Sequence, residues 1–173
     1  MHTINAEWRK SLPLLVSLVI GVAFLLTACG TNTGTGTGST GNTPSTPAPT
    51  VVQGYGTANG CPSNAVVSTA PSKPDIIVKP TDSKSTINAH VGNVIEFNLP
   101  FGLMWGGPNT SLGVLALQTP AGYAWQANKV CVWRFTAQGT GTTQVDFSAR
   151  ALCKKGEFCS QLIQDVPFTI SVK

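Results

Sequence analysis

Histidine is almost absent from this 173-residue chain, which has only His2 and His90. A Ser-His-Asp or Cys-His enzyme needs a histidine as its base, and His90, followed by Val91-Gly92, reads as a turn residue. There is no Gly-x-Ser-x-Gly elbow and no glycine-rich phosphate loop. The seven acidic residues are scattered singly, so no pair suggests acid/base work. These gaps argue against an enzyme and against a cofactor. Charge is also scarce, at 10% of residues, with a net value of +4. The single basic cluster is Lys154-Lys155, not the concentrated stripe a nucleic-acid binder would show, so no nucleic acid is expected. No stretch shows a convincing helical period.

What is present divides the chain into three. Arg9 and Lys10 are followed by an apolar run, Leu12 to Leu26, broken only by Pro13, Ser17 and Gly21. The run is shorter than the roughly 20 residues a membrane-spanning helix needs. Basic, apolar and then small residues is the order of an export signal. The run ends in Leu26-Thr27-Ala28-Cys29, which resembles the lipobox of bacterial lipoprotein signal peptides. The resemblance implies that residues 1–28 are cleaved and that Cys29 carries diacylglycerol, whose two chains suffice for stable anchoring. It implies an exported protein held on the extracytoplasmic face of a membrane, with membrane lipid as its first partner. Without Arg9, Lys10 and Glu7, the eleven basic and seven acidic residues become nine and six, a mild +3.

Residues 29–54 read as a flexible tether. From Gly30 to Pro49 there are only Gly, Thr, Asn, Ser, Pro and Ala, so nothing offsets the entropy of ordering. A Gly-rich coil of that length spans roughly 25 Å, and Pro44, Pro47 and Pro49 would stretch it. Ser/Thr-rich tracts with proline can also carry O-linked sugar.

Residues 55–173 are enough for one domain with a real core. Their period is two. Ile95, Phe97 and Leu99 alternate with Glu96 and Asn98, and Cys131, Trp133, Phe135 and Ala137 alternate with Val132, Arg134 and Thr136. Val145, Phe147 and Ala149 alternate with Asp146, Ser148 and Arg150, and Val166, Phe168, Ile170 and Val172 with Pro167, Thr169 and Ser171. Such alternation marks strands with one buried and one wet face. Shorter strands are expected at Ala65–Val67, Asp75–Lys79, Thr86–Ala89 and Val114–Gln118, with Gly and Pro in most gaps. Pro167 marks an edge or a strand start. The fold class expected is all-β, an immunoglobulin-like antiparallel β-sandwich.

Cys61, Cys131, Cys153 and Cys159 remain after Cys29. In an exported protein an even count reads as two disulfides. Zinc is the alternative, but there is no Cys-x-x-Cys pair and no nearby histidine. Of the three pairings open, Cys153 with Cys159 across a hairpin tip, leaving Cys61 with Cys131, is favoured.

The strand framework carries a second resemblance. Its pieces are Val91 to Pro100, Gly102-Leu103-Met104-Trp105, Trp133 to Gly139, Val145 to Arg150 and Val166 to Val172. Together they resemble the chagasin-like inhibitors of papain-type cysteine proteases, which are immunoglobulin-like domains. Gly102 and Trp105 match that family's first inhibitory loop, Gly122-Tyr123-Ala124-Trp125 fits the end of the same motif, and Arg150 corresponds to the arginine of its last loop. The resemblance implies a papain-type protease as partner.

In an immunoglobulin-like sandwich the loops after the second, fourth and sixth strands gather at one end. Here these are expected at residues 100–108, 118–128 and 152–161. Side chains outside the alternation fall in them: Phe101, Met104 and Trp105; Tyr123 and Trp125; Phe158 beside Lys154 and Lys155; the resemblance adds Arg150. Aromatic side chains give contact area at low entropic cost, so these nine residues are the candidate binding surface. The leading expectation is a non-enzymatic, cell-surface lipoprotein that binds an extracellular protein or glycan through this end. The alternatives are a chagasin-like protease inhibitor and a passive structural envelope lipoprotein.

Overall fold

The computed structural model describes residues 48–173 except Ala70 and Leu112. The signal segment, Cys29 and most of the tether lie outside the described residues.

In chain order the elements are β1 (Thr50–Val51), α1 (Tyr55–Ala58), β2 (Ala65–Val67), β3 (Ile76–Val78), a 3-10 turn (Pro80–Asp82), β4 (Thr86–Ala89), β5 (Val94–Pro100), β6 (Leu103–Thr110), β7 (Leu115–Leu117), β8 (Tyr123–Trp125), β9 (Val130–Ala137), β10 (Gly141–Ala151) and β11 (Ile163–Val172). They form two sheets. The larger runs β1-β2-β8-β9-β5-β3, with β7 also on β9, and the smaller runs β4-β11-β10-β6. The β-sandwich expected from the alternation is therefore present.

Two details differ from expectation. The sheets are mixed, not purely antiparallel: β2–β8, β3–β5 and β4–β11 are parallel pairs. Period-two alternation fixes which face is buried but carries no information on strand direction. Also, Thr50–Val51, within the stretch read as tether, pairs with β2 at the sheet edge.

The two inner faces interlock through aromatic rings. Phe97 lies 5.6 Å from Phe135, 5.3 Å from Phe147 and 5.2 Å from Phe168, and Trp133 lies 4.9 Å from Phe147. All five are essentially inaccessible. These tilted and edge-to-face arrangements suit aromatic quadrupoles. Cys61 and Cys131, both buried, form one disulfide and tie the segment before β2 to the start of β9. Cys153 and Cys159 form the second, in the connection between β10 and β11.

Prolines sit where the ladder permits them. Pro167 lies in β11 before the pairing with β4 begins at Thr169, and its carbonyl accepts from Lys84 N and Ser83 Oγ, both at 3.0 Å. Gly107 and Pro108 together oppose Phe147, between the pairs Ser148–Gly106 and Asp146–Asn109. This bulge on the edge strand β6 needs glycine: Gly107 has φ +104°, and a Cβ there would meet the Asp146 carbonyl at 2.9 Å. Because the bulge absorbs the Gly-Gly-Pro sequence, residues 103–110 form a strand where a loop was expected.

Candidate functional site

Strand register places three connections at one end of the sandwich. Pro100 opposes Val130 across β5 and β9, and Trp125 opposes Val130 across β8 and β9. Leu103 opposes Ala151 across β6 and β10. Residues 101–102, 126–129 and 152–162 therefore gather together, as the loop-end expectation required, although the first two are shorter than expected.

The first turn is held rigidly. Trp105 Nε1 donates to the Pro100 carbonyl at 2.7 Å, Gly102 N donates to Asn59 O at 3.3 Å, and Trp105 N donates to Gly60 O at 2.9 Å. Gly60 has φ +96°, and a Cβ there would collide with the Leu103 carbonyl, so only glycine lets the segment after α1 approach β6 this closely. Phe101 is half-buried, with its ring 6.4 Å from that of Tyr55.

The nine candidate side chains fall into three groups. Arg150, Lys154, Lys155 and Phe158 are exposed, Phe158 completely so. Phe101, Met104 and Trp125 are half-buried. Trp105 and Tyr123 are buried, at 4% and 2% exposure, and this corrects their assignment to a contact surface. Trp105 opposes Ala149 in the smaller sheet and joins the main core. Tyr123 lies in β8 and packs with Ala65, Val67 and Val132 in a second, smaller cluster on the outer face of the larger sheet.

Arg150 Nε lies 3.0 Å from Met104 Sδ. This pair borders two clefts: one of about 330 Å³ reaching Thr57 and Gly60, and one of about 270 Å³ lined in part by Cys153 and Cys159. Leu162 and Ile163 add exposed apolar surface that was not foreseen. Adjacent apolar residues in a period-two segment do carry the signal, since one of them must face outward.

A second polar site lies on the outer face of the larger sheet. Glu96, Asn98 and Arg134 were expected to face water, yet their exposures are 1%, 9% and 4%. The connection between β2 and β3 explains this for Arg134, whose Nη2 donates to Ser72 O at 2.9 Å and lies 3.3 Å from Ser72 Oγ. Arg134 Nε stands 3.4 Å from Glu96 Oε2. Burial pushes the Glu96 carboxyl up from its ordinary value, a shift that Asn98 and Arg134 partly oppose. Burial, helped by the Glu96 charge, pushes the Tyr123 phenol up to about 12, so it stays protonated and able to donate.

His90 is exposed in a turn, its N–H bonded to Asn93 Oδ1 at 2.8 Å. Among the described residues no three acidic, histidine or cysteine side chains are grouped to hold a metal. Among them, too, no helix is long and apolar enough to cross a membrane.

Among solved structures, the chain is similar to the cysteine protease inhibitor EhICP2 from Entamoeba histolytica, with a TM-score of 0.43 and 13% identity over 58% of this chain and 100% of that one. It is also similar to amebosin, with a TM-score of 0.37 and 10% identity over 58% and 100% of the two chains. No family model matches the sequence, and no curated protein does.

Proposed function

We propose that the protein acts by binding rather than by catalysis, and that its loop end enters the active-site cleft of a papain-type cysteine protease. One observation carries the reading: three connections converge at one end, and the third, closed by the Cys153–Cys159 bridge, presents a fully exposed Phe158 beside Lys154 and Lys155. An aromatic on a closed loop loses little entropy when it docks. The anchor belongs to the same proposal. A diacylglyceryl group on Cys29 would hold the domain on the extracytoplasmic face, with the tether giving reach. Cys29→Ser should then abolish labelling with radioactive fatty acid.

The test is inhibition of papain by the purified protein. Papain turnover should fall as the protein is added, and Phe158→Ala should weaken inhibition roughly tenfold, the loss of a hot-spot side chain. Because Phe158 touches solvent throughout, its removal should change stability by less than about 0.5 kcal/mol. Papain working at full speed in a large excess of the protein would overturn the protease reading.

A further inference from the structure

The two disulfides differ in their surroundings. Cys61 and Cys131 are 2% and 0% exposed, so the folded chain shields that bridge from solutes. Cys153 is exposed, Cys159 is half-buried, and every residue between them is exposed. Among the described residues, the one backbone hydrogen bond that residues 153–162 make outside the strand ladders is internal, from Glu157 N to Lys154 O at 3.1 Å. Exposed disulfides are the ones that exchange with thiols.

Charge makes this bridge more than merely accessible. Cys153 and Cys159 line a cleft that Arg150 also lines. Arg150 is exposed, and among the described residues the only ion pair joins Arg134 to Glu96, so no carboxylate pairs with the Arg150 guanidinium. Lys154 and Lys155 directly follow Cys153, against one acid in the loop, Glu157. The species that attacks a disulfide is the thiolate, and the species that leaves is another thiolate. Neighbouring cations favour both. A thiol that also bears a carboxylate gains a second attraction to them, and a thiol that bears an ammonium is repelled.

We infer that the Cys153–Cys159 bridge is a thiol-exchange site selective for anionic thiols, one of which it takes up as a mixed disulfide on Cys153. The incoming thiolate forms a bond to Cys153 Sγ, the Cys153–Cys159 bond breaks, and Cys159 Sγ leaves as a thiolate. The incoming sulfur is oxidised as Cys159 is reduced, so the step needs no further oxidant or reductant. Attack falls on Cys153 because it is the more exposed of the two residues and adjoins both lysines. Exchange opens the loop that carries Phe158 while the buried Cys61–Cys131 bridge stays closed, so the loop end has two covalent states in one folded domain. A small thiol suffices, so the inference does not depend on the protease reading.

The test mixes the full chain in detergent with mercaptopropionate, mercaptoethanol or cysteamine at low ionic strength, quenches with iodoacetamide and maps the cysteines by mass. Each rate is divided by the rate of the same thiol with hydroxyethyl disulfide, a neutral reference that removes differences in thiol basicity. The adduct should sit on Cys153, with Cys159 alkylated and Cys61–Cys131 intact. The normalised rate for mercaptopropionate should exceed that for cysteamine about fivefold or more, and about 1 M salt should erase the difference. Arg150→Gln and, separately, Lys154→Gln/Lys155→Gln should each narrow it, and all three side chains are exposed, so the fold should tolerate both variants. Any of four results would overturn the inference: no adduct in the loop; exchange at Cys61–Cys131 as fast as in the loop; an adduct chiefly on Cys159; or equal normalised rates for the three thiols. A preference for the anionic thiol that persists unchanged in both variants would overturn it as well.

Discussion

Replacing Cys61 and Cys131 together by alanine is expected to lower stability by about 4 kcal/mol, while replacing Cys153 and Cys159 should remove about 2 kcal/mol. The difference follows from the separations, 70 residues for the first bridge and 6 for the second. In the chain-entropy model the longer closed loop restrains the unfolded chain more. Four kcal/mol is a large share of the 5–15 kcal/mol that hold an ordinary domain together. Burial adds to the contrast, because Cys61 and Cys131 sit in the core, where alanine leaves space, whereas Cys153 is exposed. Urea unfolding followed by tryptophan fluorescence separates the cases. Loss of the long bridge should lower the midpoint and also steepen the urea dependence, because a less restrained unfolded chain exposes more surface. Equal losses from the two pairs would show that loop length does not govern their contribution.

The parts of this fold legible in the sequence are those fixed by local pattern. Phe97, Trp133, Phe135, Phe147 and Phe168 each sit in a run of alternating residues, and each lies in the core. Trp105 was not legible because Gly106-Gly107-Pro108 looks like a turn, and only the pairing of β6 with β10 shows that a bulge turns it into an edge strand. Tyr123 and Trp125 lie in a strand of three residues, too short for any period to be read. The outer face of the larger sheet was read as wet because alternation reports one face against the other. What buries Arg134 there is a loop whose Ser72 is 62 residues away in sequence, and no local signal announces that. For the loop end, topology was readable and exposure was not. The three connections converge as the strand order implied, but whether an aromatic on them points outward depends on where each strand begins.

The second large effect concerns the ion pair on that face. Arg134→Ala should cost about 3–5 kcal/mol, because it leaves the Glu96 carboxylate buried without its cation. Glu96→Leu should also be costly, leaving Arg134 with Ser72 as its remaining partner. The double variant Glu96→Leu/Arg134→Met should come within about 1 kcal/mol of the parent or exceed it, since packed apolar side chains of similar volume often replace a buried pair without loss. The pH dependence has a definite sign. Burial raises the Glu96 carboxyl above its ordinary 4.5, so between that value and the raised one the folded chain binds more protons than the unfolded chain. This group's contribution to stability therefore falls as pH rises through that window and recovers as pH is lowered. Removing Arg134 takes away an attraction that holds the carboxyl down, so the window widens and the penalty in the Arg134→Ala variant grows toward neutral pH. Urea midpoints at about pH 7 and about pH 4 should show the variant's deficit shrinking in acid. A deficit independent of pH would mean that the arginine stabilises the fold through its hydrogen bonds to Ser72 and its packing, not through the charge on Glu96.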